Sequence, residues 1–143
     1  MKTCILRNCS REAQRQWLID ALTSSEAPFK LVVNGGQVTT PKAQYETSAR
    51  FPHEQSLLLE ALQERQIEGV VFLSGDRHIS ELLRRTPEDF YPIYEFTNSP
   101  LTAGAASGRP NPNRVDGTLV EQRNFGTLTV RGPRGDRVLT LRT

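Results

Sequence analysis

Four consecutive apolar residues, Val70-Val71-Phe72-Leu73, run directly into Ser74-Gly75-Asp76-Arg77-His78. A strand that is apolar on both faces must be covered on both, which is the situation of an inner strand in a parallel α/β sheet. Glycine at its end permits a tight turn, and an aspartate and a histidine then emerge two residues apart. In open α/β sheets ligands bind beyond the carboxyl ends of the strands. Asp76 and His78 are therefore expected at the mouth of a site. In an extended segment, residues two apart project to the same side. Carboxylate oxygen suits hard cations and imidazole suits iron, zinc or nickel, so the pair fits a site holding two unlike metals.

The segments around this strand alternate. A helix is expected to begin near Ser10, whose hydroxyl can cap the first turn. Ala13, Trp17, Leu18, Ala21 and Leu22 recur at helical spacing and define its apolar face, with Trp17 read as a core residue. Phe29-Lys30-Leu31-Val32-Val33 reads as a buried strand, and Asn34-Gly35-Gly36 as the turn after it. Residues 39–51 lack periodicity and read as a long loop, a feature often functional or mobile in a compact domain. A second helix follows Pro52, with Leu58, Ala61, Leu62 and Arg65 on adjacent turns, and ends at Ile67-Glu68-Gly69. Ile79 to Arg85 reads as a short helical or turn segment. Tyr91 to Thr97 reads as a strand with Tyr94 and Phe96 on one side. Ala103 to Val115 reads as an exposed loop. Asn124–Val130 and Arg137–Leu141 read as a closing hairpin turned by Gly132-Pro133-Arg134-Gly135. This order predicts a parallel sheet with an antiparallel edge.

A chain of 143 residues is long enough for one domain, spanning 1–143, and too short for two. With 36% hydrophobic and 24% charged residues, it has the composition of a globular protein rather than a disordered one. A net charge of +2 does not by itself indicate nucleic acid. The arginine-rich stretch from Arg109 to Arg142 lacks the clustered aromatics that stack on bases, so no nucleic-acid partner is expected. Cys4 and Cys9 lie outside any metal or redox spacing and read as free thiols or part of a frayed end. No apolar run reaches the roughly 18 residues of a membrane span. The first residues lack the apolar core of a secretory signal, which leaves the localisation of any longer parent protein open.

Ser74-Gly75-Asp76-Arg77-His78-Ile79-Ser80-Glu81-Leu82 resembles the last metal motif of the PhoD-like alkaline phosphatases, a branch of the calcineurin-like metallophosphatase superfamily. That branch carries Gly-Asp-x-His where the wider superfamily has Gly-His-x-His. Gln16-Trp17-Leu18, Phe29 to Val33, Gln37-Val38, Phe51-Pro52 with Glu54 and Leu58, Glu95 to Gly104, Phe125-Gly126 and Gly132-Pro133 are similar to further family segments, in the same order. The resemblance spans most of residues 14 to 142 and corresponds to the C-terminal half of the family domain. It implies half of a layered α/β/β/α sandwich: a mixed sheet with helices on one face and a C-terminal β-hairpin.

The resemblance also implies a metal-dependent phosphoric ester hydrolase acting on a phosphomonoester or phosphodiester. A two-metal site of calcium, iron or zinc ions would polarise the phosphoryl group and activate water for in-line attack. Asp76 and His78 are the implied metal-holding and catalytic residues. Arg77 either faces a non-bridging phosphate oxygen or forms a surface salt bridge with Glu81. Asn34 is a further candidate metal ligand, and Gln37 lies nearby. For both, turn chemistry is the competing reading. Asn98 shapes the substrate pocket or a local turn before Pro100. His53 is read as a surface residue.

The family's early aspartate, its Gly-Asp motif with the bridging aspartate and its asparagine-containing motif have no counterpart here. The chain is therefore expected to be a half-site form that associates with an N-terminal half or with another copy of itself. The alternative expectation is a non-catalytic remnant that self-associates or binds a partner protein, because half a two-sheet core leaves an apolar face exposed.

Overall fold

The computed structural model describes the backbone of residues 5–143 and the side chains of residues 12–143. Cys4 lies outside the described residues, as does the Cys9 side chain. Helix α1 spans Ile5–Ser24, so it begins earlier than expected and Ser10 lies inside it rather than at its cap. The face that α1 buries is also rotated from the expected one. Ile19 and Leu22 are buried at 4% and 7%, whereas Trp17 is 67% exposed.

Helix α2, Pro52–Glu64, starts with proline at a position where the missing N–H costs nothing. It ends in a Schellman arrangement. Gln66 adopts φ 50°, its N–H donates to the Gln63 carbonyl, and the Ile67 N–H reaches back to the Leu62 carbonyl at 2.8 Å. Ile67 and Leu62, exposed by 5% and 0%, close the hydrophobic contact that accompanies this cap. Gly69 then lets the chain pass Pro28, whose carbonyl oxygen would lie 2.2 Å from any Cβ placed there.

The main sheet holds β1 (Lys30–Val33), β2 (Val70–Ser74), β3 (Glu81–Arg85) and β4 (Ile93–Thr97) in the order β1-β2-β4-β3. β1, β2 and β4 run parallel, and β3 closes the far edge antiparallel to β4. The predicted parallel sheet with an antiparallel edge is thus present. β3 replaces the helix or turn expected over Ile79 to Arg85. Its residues are fixed by pairing with β4 and by burial of Glu81 and Leu83 at 2% and 0%, contacts that local pattern does not encode. β5 (Thr127–Arg131) and β6 (Val138–Arg142) form the expected hairpin as a separate two-stranded sheet.

The two faces of the main sheet differ. Val70, Phe72 and Ile93 share one face, are fully buried, and pack with Ile19, Leu22, Leu59 and Leu62 of the helices. Burying such side chains stabilises the fold by about 1.5–3 kcal/mol each. On the opposite face, Phe96 is buried beside Gly126 at the start of the hairpin. Leu31 and Val33, also on that face, are 46% and 78% exposed, so β1 is a half-exposed edge strand rather than the buried one expected. Of the hairpin residues, Val130 and Val138 are 50% and 57% exposed.

Between β4 and β5, the chain runs back along β3 as a loose strap. Ser80 and Val120 exchange backbone hydrogen bonds, the Arg84 N–H donates to the Asn113 carbonyl, and the Val115 N–H donates to the Leu82 carbonyl. This long connection carries Ser99 and Gly104 past the end of β2. No described helix is long and apolar enough to cross a membrane.

Candidate functional site

Pairing between β2 and β4 ends at Ser74 and Thr97, whose hydroxyls lie 2.9 Å apart. The Gly75 N–H donates to the Gly35 carbonyl at 3.1 Å, which sets the turn after β1 beside the turn after β2. The chain then leaves the extended conformation. Asp76 has φ 62° and His78 has φ 56°, and the Arg77 N–H closes onto the Gly75 carbonyl at 2.8 Å. The extended segment expected here is therefore absent, because neither neighbouring strand reaches past Ser74 to hold the chain straight. Aspartate and histidine are among the residues that tolerate the left-handed region best.

His78 is fixed at three points yet exposed. Its N–H donates to Ser99 Oγ at 2.8 Å, and its carbonyl accepts from the Ala106 N–H at 2.8 Å. Its ring Nδ1 lies 2.8 Å from the Gly104 carbonyl oxygen. A carbonyl only accepts, so in the neutral imidazole Nδ1 carries the proton and Nε2 the lone pair. Metal-ligating histidines are commonly oriented this way. The Asp76 carboxylate is exposed and has no hydrogen bond or ion pair among the described residues. Among those residues, no group of three or more His, Cys, Asp and Glu side chains converges.

Asn34 Nδ2 donates to the Gly36 carbonyl at 2.7 Å, as a turn residue would. Gln37 is 1% exposed and donates to Glu81 Oε1 at 2.6 Å and Thr97 Oγ1 at 2.9 Å, so its amide is committed to the interior. Asn98 Nδ2 reaches Ser80 Oγ at 2.9 Å and Thr143 Oγ1 at 3.2 Å, tying the segment after β4 to the residue before β3 and to Thr143. His53 is exposed. Arg77 does not pair with Glu81, because Arg114 Nε occupies Glu81 Oε2 at 2.6 Å and Gln37 occupies Oε1. Instead the Arg77 guanidinium lies 4.3 Å from the centroid of the Tyr45 ring. Tyr45 itself adopts φ 53°, with its carbonyl held by Arg50 Nε. Ser99 stands beside Asn98 as a residue expected to shape the pocket or a local turn, whereas Tyr45 carries no expectation and Gly104 only closes a family-like segment. Tyr45 and Gly104 sit on long connections without periodicity, and only the length of those connections draws attention to them.

A family model described as PhoD-like phosphatase matches residues 9–136, most of the chain. The chain belongs to the PhoD-like phosphatase family. The matched span includes both turns and all four strands of the main sheet. A solved structure titled "Structure of PhoD" superposes with a TM-score of 0.68 at 18% identity, which supports the same fold. That match covers 81% of this chain and 26% of the other, so the chain spans about a quarter of that PhoD's length. No curated protein matches the chain. The family to which the chain belongs is thus one of phosphatases.

Proposed function

We propose that the chain carries the Gly75-Asp76-Arg77-His78 portion of a metal-dependent phosphoester hydrolysis site, and that a complementary segment or chain supplies the remaining ligands. The observation that carries this reading is the Nδ1 contact of His78 with the Gly104 carbonyl, which turns Nε2 into a ready metal donor at the carboxyl end of β2. Asp76 adds an uncommitted carboxylate two residues away. Calcium, iron or zinc ions held there would supply charge to polarise a phosphoryl oxygen and acidify a water. Asn34 retains an amide oxygen able to join the donors, and Asn98 would border the substrate. Even with Asn34, three protein donors are fewer than a closed metal site uses, which is why a complement is part of the proposal.

The test is to purify the protein without chelator and measure bound metal by elemental analysis, for the wild type and His78→Ala. Turnover of an aryl phosphate monoester and diester is assayed in parallel. Metal that disappears in the variant, accompanied by turnover, indicates that the chain completes its own site. Metal without turnover supports a half-site. Absence of metal in both proteins refutes the reading.

A second reading, a non-catalytic remnant that associates with copies of itself, rests on the open edge of β1. Lys30, the only charged residue in that strand, has its ammonium tied to the carbonyls of Ala27 and Glu68 at 3.0 Å each. It therefore leaves Leu31 and Val33 without a guarding charge. Concentration-dependent association in sedimentation, in a protein that binds no metal, favours this second reading.

A further inference from the structure

Arg77 points away from the exposed rim on which Asp76 and His78 sit. Its guanidinium stacks on Tyr45, and its Nε is buried with no hydrogen-bond partner. A second guanidinium, that of Arg109, lies 5.5 Å from the same ring centroid. Lys42 lines the same cleft. Among the described residues none of these three cations makes an ion pair. The one carboxylate lining the cleft, Glu81, has both oxygens engaged, by Gln37 and by Arg114. Two guanidinium groups are thus gathered on one aromatic ring, with Lys42 lining the same cleft as both, and no counter-charge is left for them. A buried donor without an acceptor costs roughly 1–3 kcal/mol, more when charged. Such a group calls for an explanation, and a bound ligand is one. The planar fork of arginine matches an oxyanion bidentately, and Tyr45 holds the fork in place.

We propose that Arg77 and Arg109, stacked on Tyr45, form with Lys42 of the same cleft an anion subsite beside the Asp76–His78 rim that takes a second phosphate group. The substrate would then carry one phosphate at the rim and another anionic phosphate held by the arginines. The identity of the rim phosphate rests on the hydrolase reading above, whereas binding of an anion by the cluster does not.

The experiment titrates pyrophosphate calorimetrically into the full chain, freed of metal on a chelating resin, at low salt. Wild type, Arg109→Gln, Tyr45→Leu and His78→Ala are compared, with thermal melts confirming that each is folded. Arg109 and Tyr45 are exposed, so their replacement is not expected to prevent folding. Binding by the wild type is expected. Loss of one charged contact should weaken it about tenfold or more in Arg109→Gln, and Tyr45→Leu should also weaken it. His78→Ala should bind as the wild type does. Absence of pyrophosphate binding, equal binding by Arg109→Gln, or an equal loss in His78→Ala overturns the proposal. The hydrolase reading fails separately, through metal content, which His78→Ala is expected to lower and Arg109→Gln to leave intact.

Discussion

Two polar clusters lie close together in sequence, and their hydrogen bonding is opposite. Glu95 and Glu81, on β4 and β3, are 0% and 2% exposed, and every oxygen has a partner. Glu95 accepts from the backbone N–H of Val38 at 2.8 and 3.1 Å, from that of Thr39 at 2.6 Å, and from Thr39 Oγ1 at 2.7 Å. Glu81 accepts from Gln37 and Arg114, each at 2.6 Å. In the turn after β2, Asp76 on the rim has no partner among the described residues and Arg77 Nε behind it is orphaned. A saturated buried carboxylate serves the fold, since its donors are internal and leave nothing for a ligand. An unsaturated group on a tightly fixed backbone keeps its capacity for something from outside. The glutamates pin the loop of residues 37–40 onto the sheet.

This contrast makes its largest prediction at Glu95. Glu95→Ala leaves two backbone donors and one hydroxyl without an acceptor in the interior, at a cost of about 3–5 kcal/mol. The expected result is a large fall in melting temperature, or a chain that does not fold. A variant that melts within a few degrees of the wild type would mean that the cluster is not structural, and the contrast would fail.

The two clusters were also unequally legible in the sequence. Val70 to Leu73 and the glycine after it announced the β2 turn, because an uninterrupted apolar run followed by a breaker is a local signal. The parallel core and the hairpin were legible for the same reason. The glutamate cluster was not. Glu81 and Glu95 look like ordinary surface charges until β3 pairs with β4 and places both on the helix-covered face. Trp17 misled in the opposite direction. It fits the helical period, but α1 turns Ile19 inward and leaves the indole 67% exposed. The left-handed residues at the rim were equally hidden, since alternation assumes an extended chain and the pairing that would enforce one stops at Ser74 and Thr97.

A smaller effect is expected at Tyr91, a third saturated polar group. Its hydroxyl accepts from the Val70 N–H at 2.8 Å and lies 3.2 Å from the Val70 carbonyl, which continues the ladder where β2 begins. Tyr91→Phe orphans that N–H, with an expected loss of about 1–2 kcal/mol in denaturant unfolding. Burial raises the phenol pKa above its ordinary 10.0, against the lowering effect of the Val70 contact, and Glu68 raises it further. The folded state therefore holds the proton more tightly than the unfolded chain does. The associated stability is complete below pH 10 and falls as the pH rises through the folded pKa. The wild type should thus lose stability above pH 10 more steeply than Tyr91→Phe. Parallel pH profiles would show that the hydroxyl is not coupled to folding.

The smallest stability effect is expected at Asp76, and there the absence of an effect is the informative result. With no partner to lose, Asp76→Gly removes only the left-handed cost of an L-residue, about 1 kcal/mol, which the greater freedom of glycine in the unfolded chain largely offsets. Its stability should lie within about 0.5 kcal/mol of the wild type. Asp76→Ala keeps the Cβ at φ 62° but lacks the short polar side chain that makes aspartate more tolerant of this region, so it should fall about 1 kcal/mol below the glycine variant. Neither variant retains the carboxylate, so both should lose metal to the same extent although they differ in stability. Paired melts and elemental analysis of the two variants separate backbone strain from ligation. If metal content tracks stability instead, the rim behaves as a structural cluster like that of Glu95, and Asp76 loses its standing as a ligand.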